Sequence, residues 1–516
     1  MKRSFYALLI LFCLSGATLS NADSYEKQIS SQENVVEVEF SVASILQSNM
    51  VVQQAKPFTL WGTAPAGDTV FLAADWTGTQ VPAVADAAGQ WKGQLPVPAA
   101  QPNDFTPHAI TVFSKGKKII LSNVLIGEVW LCSGQSNMDM EMKPQLPWLR
   151  GVLNHEEEIA AANHPAIRLI NIENSFKKEP QANAKGTWLV CSPETAGDFS
   201  GVAYFYGREL LQKLKVPIGL VVASVGGSAC QAWASREALQ TDPVVKAKYL
   251  TPYDLSPQAK ENLDSIKTLE KLFEVLERPT LLYNAMIHPL KNLSVKGFLW
   301  YQGESNKKDG SAYTRLCTAM LQGWRKDFAQ GDLPFYFVQV TPYNWEEKDS
   351  TLTYYAKLRE AQEAVLQVKN TGMAVTMDIG EVNDIHPRNK KDVGVRLAKI
   401  AFAKTYGQPE IVHQGPTFQS FTWKGNTVRI TFRKEGLGSG LTTSDGLAPK
   451  HFYVAGKDQV FYPATAEIVR DQIWLTSEKV KKPVAVRYAF TNFPVTNLAN
   501  KEGLPAQPFR TDSWEK

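Results

Sequence analysis

Val124-Leu125-Ile126-Gly127-Glu128-Val129-Trp130-Leu131-Cys132 runs through Ser133 into Gly134-Gln135-Ser136-Asn137-Met138. A short, nearly unbroken apolar run bounded by turn residues reads as a buried strand. Small residues at its carboxyl end make a sharp turn. Such a turn lifts one hydroxyl off the sheet edge and leaves neighbouring N–H groups free. An activated nucleophile needs both features. Ser136 is therefore the first candidate for a reacting atom. Met138 stands where a nucleophile elbow would have its second Gly, so the α/β-hydrolase fold is not indicated.

Around this stretch, residues 122–408 alternate apolar strands with helical patterns. Val202 to Lys215 is amphipathic and leads into the apolar run Ile218 to Ala223. Gly297 to Tyr301 is a further strand, followed by a helix from about Ala312 to Phe328. A strand over Phe335 to Val340, a helix over Tyr354 to Val368, a strand over Ala374 to Met377 and a helix over Lys391 to Tyr406 complete the series. This alternation predicts an α/β domain with a doubly wound parallel sheet. Ligands of such sheets bind at the carboxyl ends of the strands. Residues 37–121 read instead as a separate β module, with short runs over Val36–Phe40, Phe58–Gly62, Thr69–Ala73 and Ile110–Phe113 between Pro and Gly turns. Residues 409–516 return to β patterning at Thr427–Phe432, Gln459–Tyr462, Gln472–Leu475 and Val484–Tyr488.

The chain has 516 residues, enough for several domains, and its 44% hydrophobic and 21% charged content is that of a globular protein. Lys2-Arg3, the apolar Tyr6–Leu14 and Ser20-Asn21-Ala22 read as a signal peptide over residues 1–22, implying a secreted or periplasmic protein. Its removal drops the formal charge from +4 to +2. That balance, without a dense basic run, argues against a nucleic-acid partner. No later apolar run is long enough to span a membrane. Cys132, Cys191, Cys230 and Cys317 are far apart, so a zinc ribbon is not expected. Their apolar surroundings favour buried thiols, although an oxidising compartment permits disulfides. No His/Cys/Asp spacing suggests a metal site, and no cofactor is required.

A serine nucleophile needs a base. Of seven His, His108, His413 and His451 belong to the β modules, and His155 and His164 to a polar stretch, which leaves His288 and His386. His386 lies in Met377-Asp378-Ile379-Gly380-Glu381-Val382-Asn383-Asp384-Ile385-His386-Pro387, a loop leaving an apolar strand. Asp384 could take the Nδ1 proton and turn Nε2 toward Ser136. Oxyanion donors are offered at two more strand ends: the Gly226-Gly227 pair in Ser224-Val225-Gly226-Gly227-Ser228, and Gln302 in Trp300-Tyr301-Gln302-Gly303-Glu304-Ser305-Asn306. Each turn alone is unremarkable. Their coincidence at the strand ends of one sheet is not.

The order Gly-Gln-Ser-Asn-Met, Gly-Gly-Ser, Trp-Tyr-Gln-Gly-Glu-Ser-Asn, Asp-Ile-His-Pro resembles the sialate O-acetylesterase branch of the SGNH hydrolases. Ser48-Asn49-Met50-Val51-Val52-Gln53, Tyr283-Asn284-Ala285-Met286-Ile287-His288-Pro289-Leu290 and the closing Glu502 to Asp512 carry the same resemblance. It implies an SGNH-type, flavodoxin-like sheet flanked by β-sandwich-like modules. It implies Ser136 as nucleophile, His386 as base, and an oxyanion hole of the Ser136 N–H, Gly226 or Gly227, and Gln302. Asn383 departs from the superfamily's Asp-x-x-His, so Asp384 is the chosen third member, with Asn383, Glu381 or a carbonyl as alternatives. Gln135, Asn137, Glu304 and His288 are expected to line the substrate. Glu304 could otherwise pair with Asp384 or Glu141 as in a glycosidase. The implied activity is deacetylation of an O-acetylated sugar or glycan, most simply O-acetylated sialic acid, through an acetyl-serine intermediate. The alternatives are an acetyl xylan esterase and, from another class, a carbohydrate-binding protein without catalysis.

Overall fold

The computed structural model describes residues 38–345, 352–381 and 383–514. The expected leader, residues 1–22, lies outside them. The quoted stretch forms the carboxyl half of one long strand, β1 (Lys117–Gly134). Helix α1 (Ser136–Asp139) follows directly. The chain then gives β2 (Ile167–Asn171), β3 (Trp188–Val190), α2 (Gly201–Leu214) and β4 (Ile218–Ser224). Next come β5 (Gly297–Tyr301), α3 (Ser311–Phe328), β6 (Phe335–Val338), α4 (Tyr354–Ala364), β7 (Thr371–Ala374) and α5 (Lys390–Lys404).

The sheet order is β3-β2-β4-β1-β5-β6-β7. Every neighbouring pair is parallel except the edge strand β3, which runs antiparallel to β2. The chain winds outward from β1 on one side, returns to β4, then crosses to β5 on the other. β1 is therefore where the winding reverses, the place where such sheets bind ligands. Period-two alternation supplies both faces. Trp130, Cys132, Leu299 and Tyr301 pack with Val202 and Leu210 of α2 and Val393 and Leu397 of α5. Val129, Leu131, Phe298 and Trp300 pack with Leu316 and Met320 of α3 and Leu358 of α4. Trp300 meets Trp324 edge-on at 5.8 Å, burying two large rings in one contact.

Several boundaries differ from the sequence reading. The expected limit at 121/122 falls inside β1, whose first half pairs antiparallel with His108–Ser114 and parallel with Val51–Gln53. One apolar core runs from Leu60 and Val112 through to Phe298 and Leu358. β7 ends at Ala374, where its partner β6 ends at Val338, so the strand expected to reach Met377 has nothing to pair with. β2 escaped notice because Arg168 interrupts its apolar run, and β3 because it is only three residues long; Arg168 is buried, its Nε donating to the Pro165 carbonyl at 2.7 Å. Val38–Phe40 is not strand; Ser41–Val42 is, paired with Gly62 and Thr63. Gln459 has φ of 61°, which delays the strand expected from that residue to Phe461.

Among the described residues, the carboxyl-terminal region forms two four-stranded antiparallel sheets and a two-stranded one, Leu441–Thr443 with Leu498–Asn500. Met377 enters their core beside Val454, Val486 and Leu498. The Thr496 N–H donates to the Met377 carbonyl at 3.0 Å. This region therefore anchors the root of the His386 loop. The four described cysteines are buried and unpaired. No helix among the described residues is long and apolar enough to cross a membrane.

Candidate active site

Parallel register brings three strand ends side by side: Gly134 of β1 pairs with Ser224 of β4 and Tyr301 of β5. Each strand then opens into one of the turns picked out above. Gly134 has φ of 145°, and a Cβ there would sit 2.2 Å from the Tyr301 carbonyl oxygen. Only glycine allows β1 to turn this close to β5. The turn puts Ser136 in the first position of α1, half-buried, with its neighbours Gln135 and Asn137 buried.

His386 comes from the loop between β7 and α5. Its Nε2 lies 2.8 Å from Ser136 Oγ, close enough to accept the hydroxyl proton. Asp384 Oδ1 accepts the His386 backbone N–H at 2.8 Å and lies 3.5 Å from His386 Nδ1. Of the alternatives for the orienting group, Asn383 is exposed, and Glu381 accepts the Arg388 N–H at 2.8 Å. Asp384 is thus the acid facing the imidazole, although 3.5 Å is longer than a good hydrogen bond. Arg150 was not foreseen. Its Nε donates to Asp384 Oδ2 at 2.7 Å and its Nη2 to Glu381, clamping the loop from outside. Burial, with Lys390 second, pushes the His386 pKa down to about 4, against the pull of Asp384. The imidazole is therefore a neutral acceptor at ordinary pH.

On the far side of Ser136, a Cβ on Gly226 would stand 3.5 Å from Ser136 Cβ, so this glycine borders the hydroxyl. Among the described residues, no hydrogen bond occupies the N–H of Ser136 or of Gly226. Gly227, with φ of 77°, turns toward Phe273 instead.

Three expectations need correction. Gln302 is not free to hold an oxyanion: its Nε2 donates to the Ser228 carbonyl at 3.2 Å and to Asn306 Oδ1 at 2.7 Å. Its Oε1 accepts from Tyr313 at 3.0 Å, so the whole amide ties the β5 turn to the β4 turn and α3. His288 does not belong to this site. Its Nδ1 faces the Gln181 carbonyl at 2.9 Å and its Nε2 faces Lys291 at 2.7 Å, beside a separate cleft of about 460 Å³ lined by Arg236, Tyr253 and Asp327. Gln135, Asn137 and Glu304 do not line open space. Gln135 Oε1 accepts the Gly303 N–H at 3.1 Å, and Asn137 Nδ2 donates to Glu304 Oε1 at 2.7 Å, all three side chains being buried. Its burial and its hydrogen bond to Asn137 also keep Glu304 from a glycosidase pair open to substrate.

Lys390 is the other residue the sequence concealed. It is fully buried, its Nζ donating to Asn137 Oδ1 at 2.6 Å and to the Pro387 carbonyl at 2.7 Å. Written Lys390-Lys391 after a Pro, it looks like the solvated start of a helix. Among the described residues no cluster of three His, Cys, Asp or Glu can hold a metal ion.

A hydroxyl hydrogen-bonded to a neutral imidazole, with vacant N–H groups alongside, can attack an acyl carbonyl. Comparisons with known proteins agree with that chemistry. Residues 126–256 and 267–403 match the family model described as carbohydrate esterase, sialic acid-specific acetylesterase. The chain is 30% identical over 419 residues to the sialate O-acetylesterase of Rattus norvegicus, spanning 73% of this chain and 76% of that one. The Homo sapiens sialate O-acetylesterase is 29% identical over 410 residues, spanning 73% of each. Among solved structures, a carbohydrate acetylesterase from Xanthomonas citri superposes with a TM-score of 0.80 at 34% identity, covering 92% of this chain and 100% of that one. The chain belongs to the sialic acid-specific acetylesterase family of carbohydrate esterases, and it is a carboxylic-ester hydrolase.

Proposed function

We propose that the protein removes O-acetyl groups from O-acetylated sialic acid through an acetyl-Ser136 intermediate. One observation carries the reading: residues 250 apart in sequence meet with His386 Nε2 2.8 Å from Ser136 Oγ. His386 takes the hydroxyl proton as Oγ attacks the acetyl carbonyl. The oxyanion forms against the N–H groups of Ser136 and Gly226. His386 then gives its proton to the departing sugar oxygen. Water, deprotonated by the same imidazole, attacks the acetyl-Ser136 ester and releases acetate. The strand order, reversing at β1, supports an SGNH-type arrangement for the catalytic core, with the flanking β regions as buttresses. The leader-like residues 1–22 support export to the periplasm or beyond.

Acetate release from O-acetylated sialic acid and from acetylated xylan by the purified protein tests the substrate. Hydrolysis of the first at much higher kcat/KM is expected; the opposite order would replace the sugar with xylan. Ser136→Ala is expected to abolish turnover, and an acid-quenched digest of the wild type to contain acetylated Ser136 peptide. Near wild-type turnover by Ser136→Ala would reject the nucleophile. A protein that binds sialic acid but hydrolyses no acetate ester would be a lectin.

A further inference from the structure

Behind Ser136, three buried polar side chains meet with few other partners. Asn137 and Lys390 are fully buried and Glu304 nearly so. The Asn137 amide donates to Glu304 Oε1 at 2.7 Å and to the Ile385 carbonyl at 3.1 Å. Its oxygen accepts from Lys390 Nζ at 2.6 Å, while Nζ also donates to the Pro387 carbonyl at 2.7 Å. Asn137 directly follows Ser136. Ile385 and Pro387 directly flank His386. One amide and one ammonium thus join the nucleophile's turn to both sides of the base.

Burying an ammonium is costly, and a Met of similar length would fill the space without that cost. Nor does Glu304 neutralise Lys390 by contact. Its Oε1 is held by Asn137, and its Oε2 has no hydrogen-bond partner among the described residues. A buried cation linked by hydrogen bonds to both reacting residues' neighbours calls for a role in the reaction.

We infer that Lys390 is a positioning residue of the hydrolysis: through Asn137 and the Pro387 carbonyl it holds His386 against Ser136, and it sets a cation beside the base. The inference rests on Ser136 and His386 being nucleophile and base. The charged groups of the site come from five segments: α1, the loop after it, the turn past β5, the His386 loop and α5. Lys390 lies on α5. Asp384 lies on the same loop, backed by Arg150 and Glu381. Glu304 lies past β5, and Asp139 lies on α1, where it accepts from Ser224 Oγ at 2.8 Å. Asp384 favours the imidazolium, whereas burial and Lys390 oppose it and prevail. Burial pushes the Lys390 pKa down to about 7, with Glu304, Asp384 and Glu381 pulling the other way. As pH falls, Lys390 is therefore charged before His386 can protonate. Any proton added to His386 is added near a cation.

The test compares Lys390→Met, Lys390→Gln and Lys390→Arg by kcat and KM for a soluble acetate ester, followed across pH. Removing a neighbouring like charge lets His386 protonate more easily, so the acid limb of kcat/KM is expected to rise by about one pH unit in the Met and Gln variants. Lys390→Met also loses both hydrogen bonds, and kcat is expected to fall at least about tenfold with KM changed less than about threefold. Lys390→Gln keeps a donor and retains more kcat, while Lys390→Arg keeps the acid limb of the wild type. An acid limb unmoved in the neutral variants overturns the inference, whatever their kcat. If neither neutral variant folds, Lys390→Arg decides by the kcat and KM split: wild-type kcat with the ammonium's shorter reach to Asn137 and Pro387 lost overturns the inference, and a fall in kcat with KM held supports it. Failure of the underlying reading shows separately, as turnover surviving Ser136→Ala.

Discussion

Replacing Asp384 by Ala, with Asn383→Ala as its partner experiment, measures how the base is held. In the triad template, disabling the orienting carboxylate lowers kcat by about 10⁴-fold, roughly 5 kcal/mol. The geometry here argues for less. Asp384 Oδ1 approaches His386 Nδ1 only to 3.5 Å, and its best contact is the His386 backbone N–H at 2.8 Å. Its other oxygen is occupied by Arg150 at 2.7 Å, which offsets part of its charge. Losing one charge-assisted hydrogen bond costs about 1.5–3 kcal/mol, or about 10- to 150-fold in rate. The expected loss in kcat/KM for Asp384→Ala is therefore about 10²-fold. Asn383, exposed and without a contact to the imidazole, is expected to cost less than about threefold on replacement. Steady-state hydrolysis of a chromogenic acetate ester, on variants matched by circular dichroism, reads both. Equal losses, or a larger loss for Asn383→Ala, would refute the assignment. A loss near 10⁴-fold would show that Asp384 closes on Nδ1 when substrate binds.

The acid limb of the wild-type kcat/KM profile is expected near pH 4, because a base whose pKa is lowered stays in its working, neutral form until that pH is reached. The same depression means that the native protein binds fewer protons than the unfolded chain over that interval, so stability falls as pH drops below about 6.5; an activity limb near that value would contradict both statements. Gly134→Ala would press a methyl to within 2.2 Å of the Tyr301 carbonyl carbon's oxygen, and thermal or urea unfolding is expected to show a loss of about 3 kcal/mol or more. A variant with unchanged stability would mean that the turn is not built as described. His288→Ala removes contacts to Gln181 and Lys291 away from the site, so it is expected to cost about 1–2 kcal/mol of stability with kcat/KM changed less than about twofold. A selective loss of activity without a loss of stability would return His288 to the site.

What the sequence revealed, it revealed through features that are local. Apolar runs and helical periods marked β4, β5, α2 and α3 almost to the residue, since each is strongly patterned, and marked the carboxyl half of β1. Elements defined by a partner were harder. β7 ends where β6 ends, and nothing within Thr371–Met377 says so. The expected break at 121/122 was a change in pattern along a strand that does not break. The site followed the same division. Ser136 and His386 stand out because their turns are unusual in themselves. Arg150 and Lys390 do not, because a clamping Arg and a buried Lys look in sequence like the solvated residues they are not.

Gln302 shows why a motif can be right about place and wrong about task. Its turn was expected at the end of a strand beside Ser136, and β5 does end there, with Tyr301 opposite Gly134. An amide at that point has two donors, which suggests an oxyanion hole until its neighbours are counted. Ser228 and Asn306 take the donors and Tyr313 supplies the proton that the amide oxygen accepts. Asn306 in turn accepts the Cys230 N–H at 2.9 Å and donates to Asp309 at 2.8 Å. Buried polar groups joined in this way fix the spacing of the turns that carry them. With the amide so engaged, the proposed oxyanion would fall to backbone N–H groups. A backbone donor cannot be deleted by a side-chain substitution, but it can be obstructed. Gly226→Ala would bring a methyl to 3.5 Å from Ser136 Cβ, ordinary contact that leaves folding intact while crowding the space the oxyanion must enter. Loss of one such donor costs about 10²–10³-fold in kcat. If that loss appears in Gly226→Ala with stability unchanged, the hole is made of backbone. If it appears instead in Gln302→Ala with stability unchanged, the amide must leave its partners during turnover, and the network is a resting state rather than a scaffold.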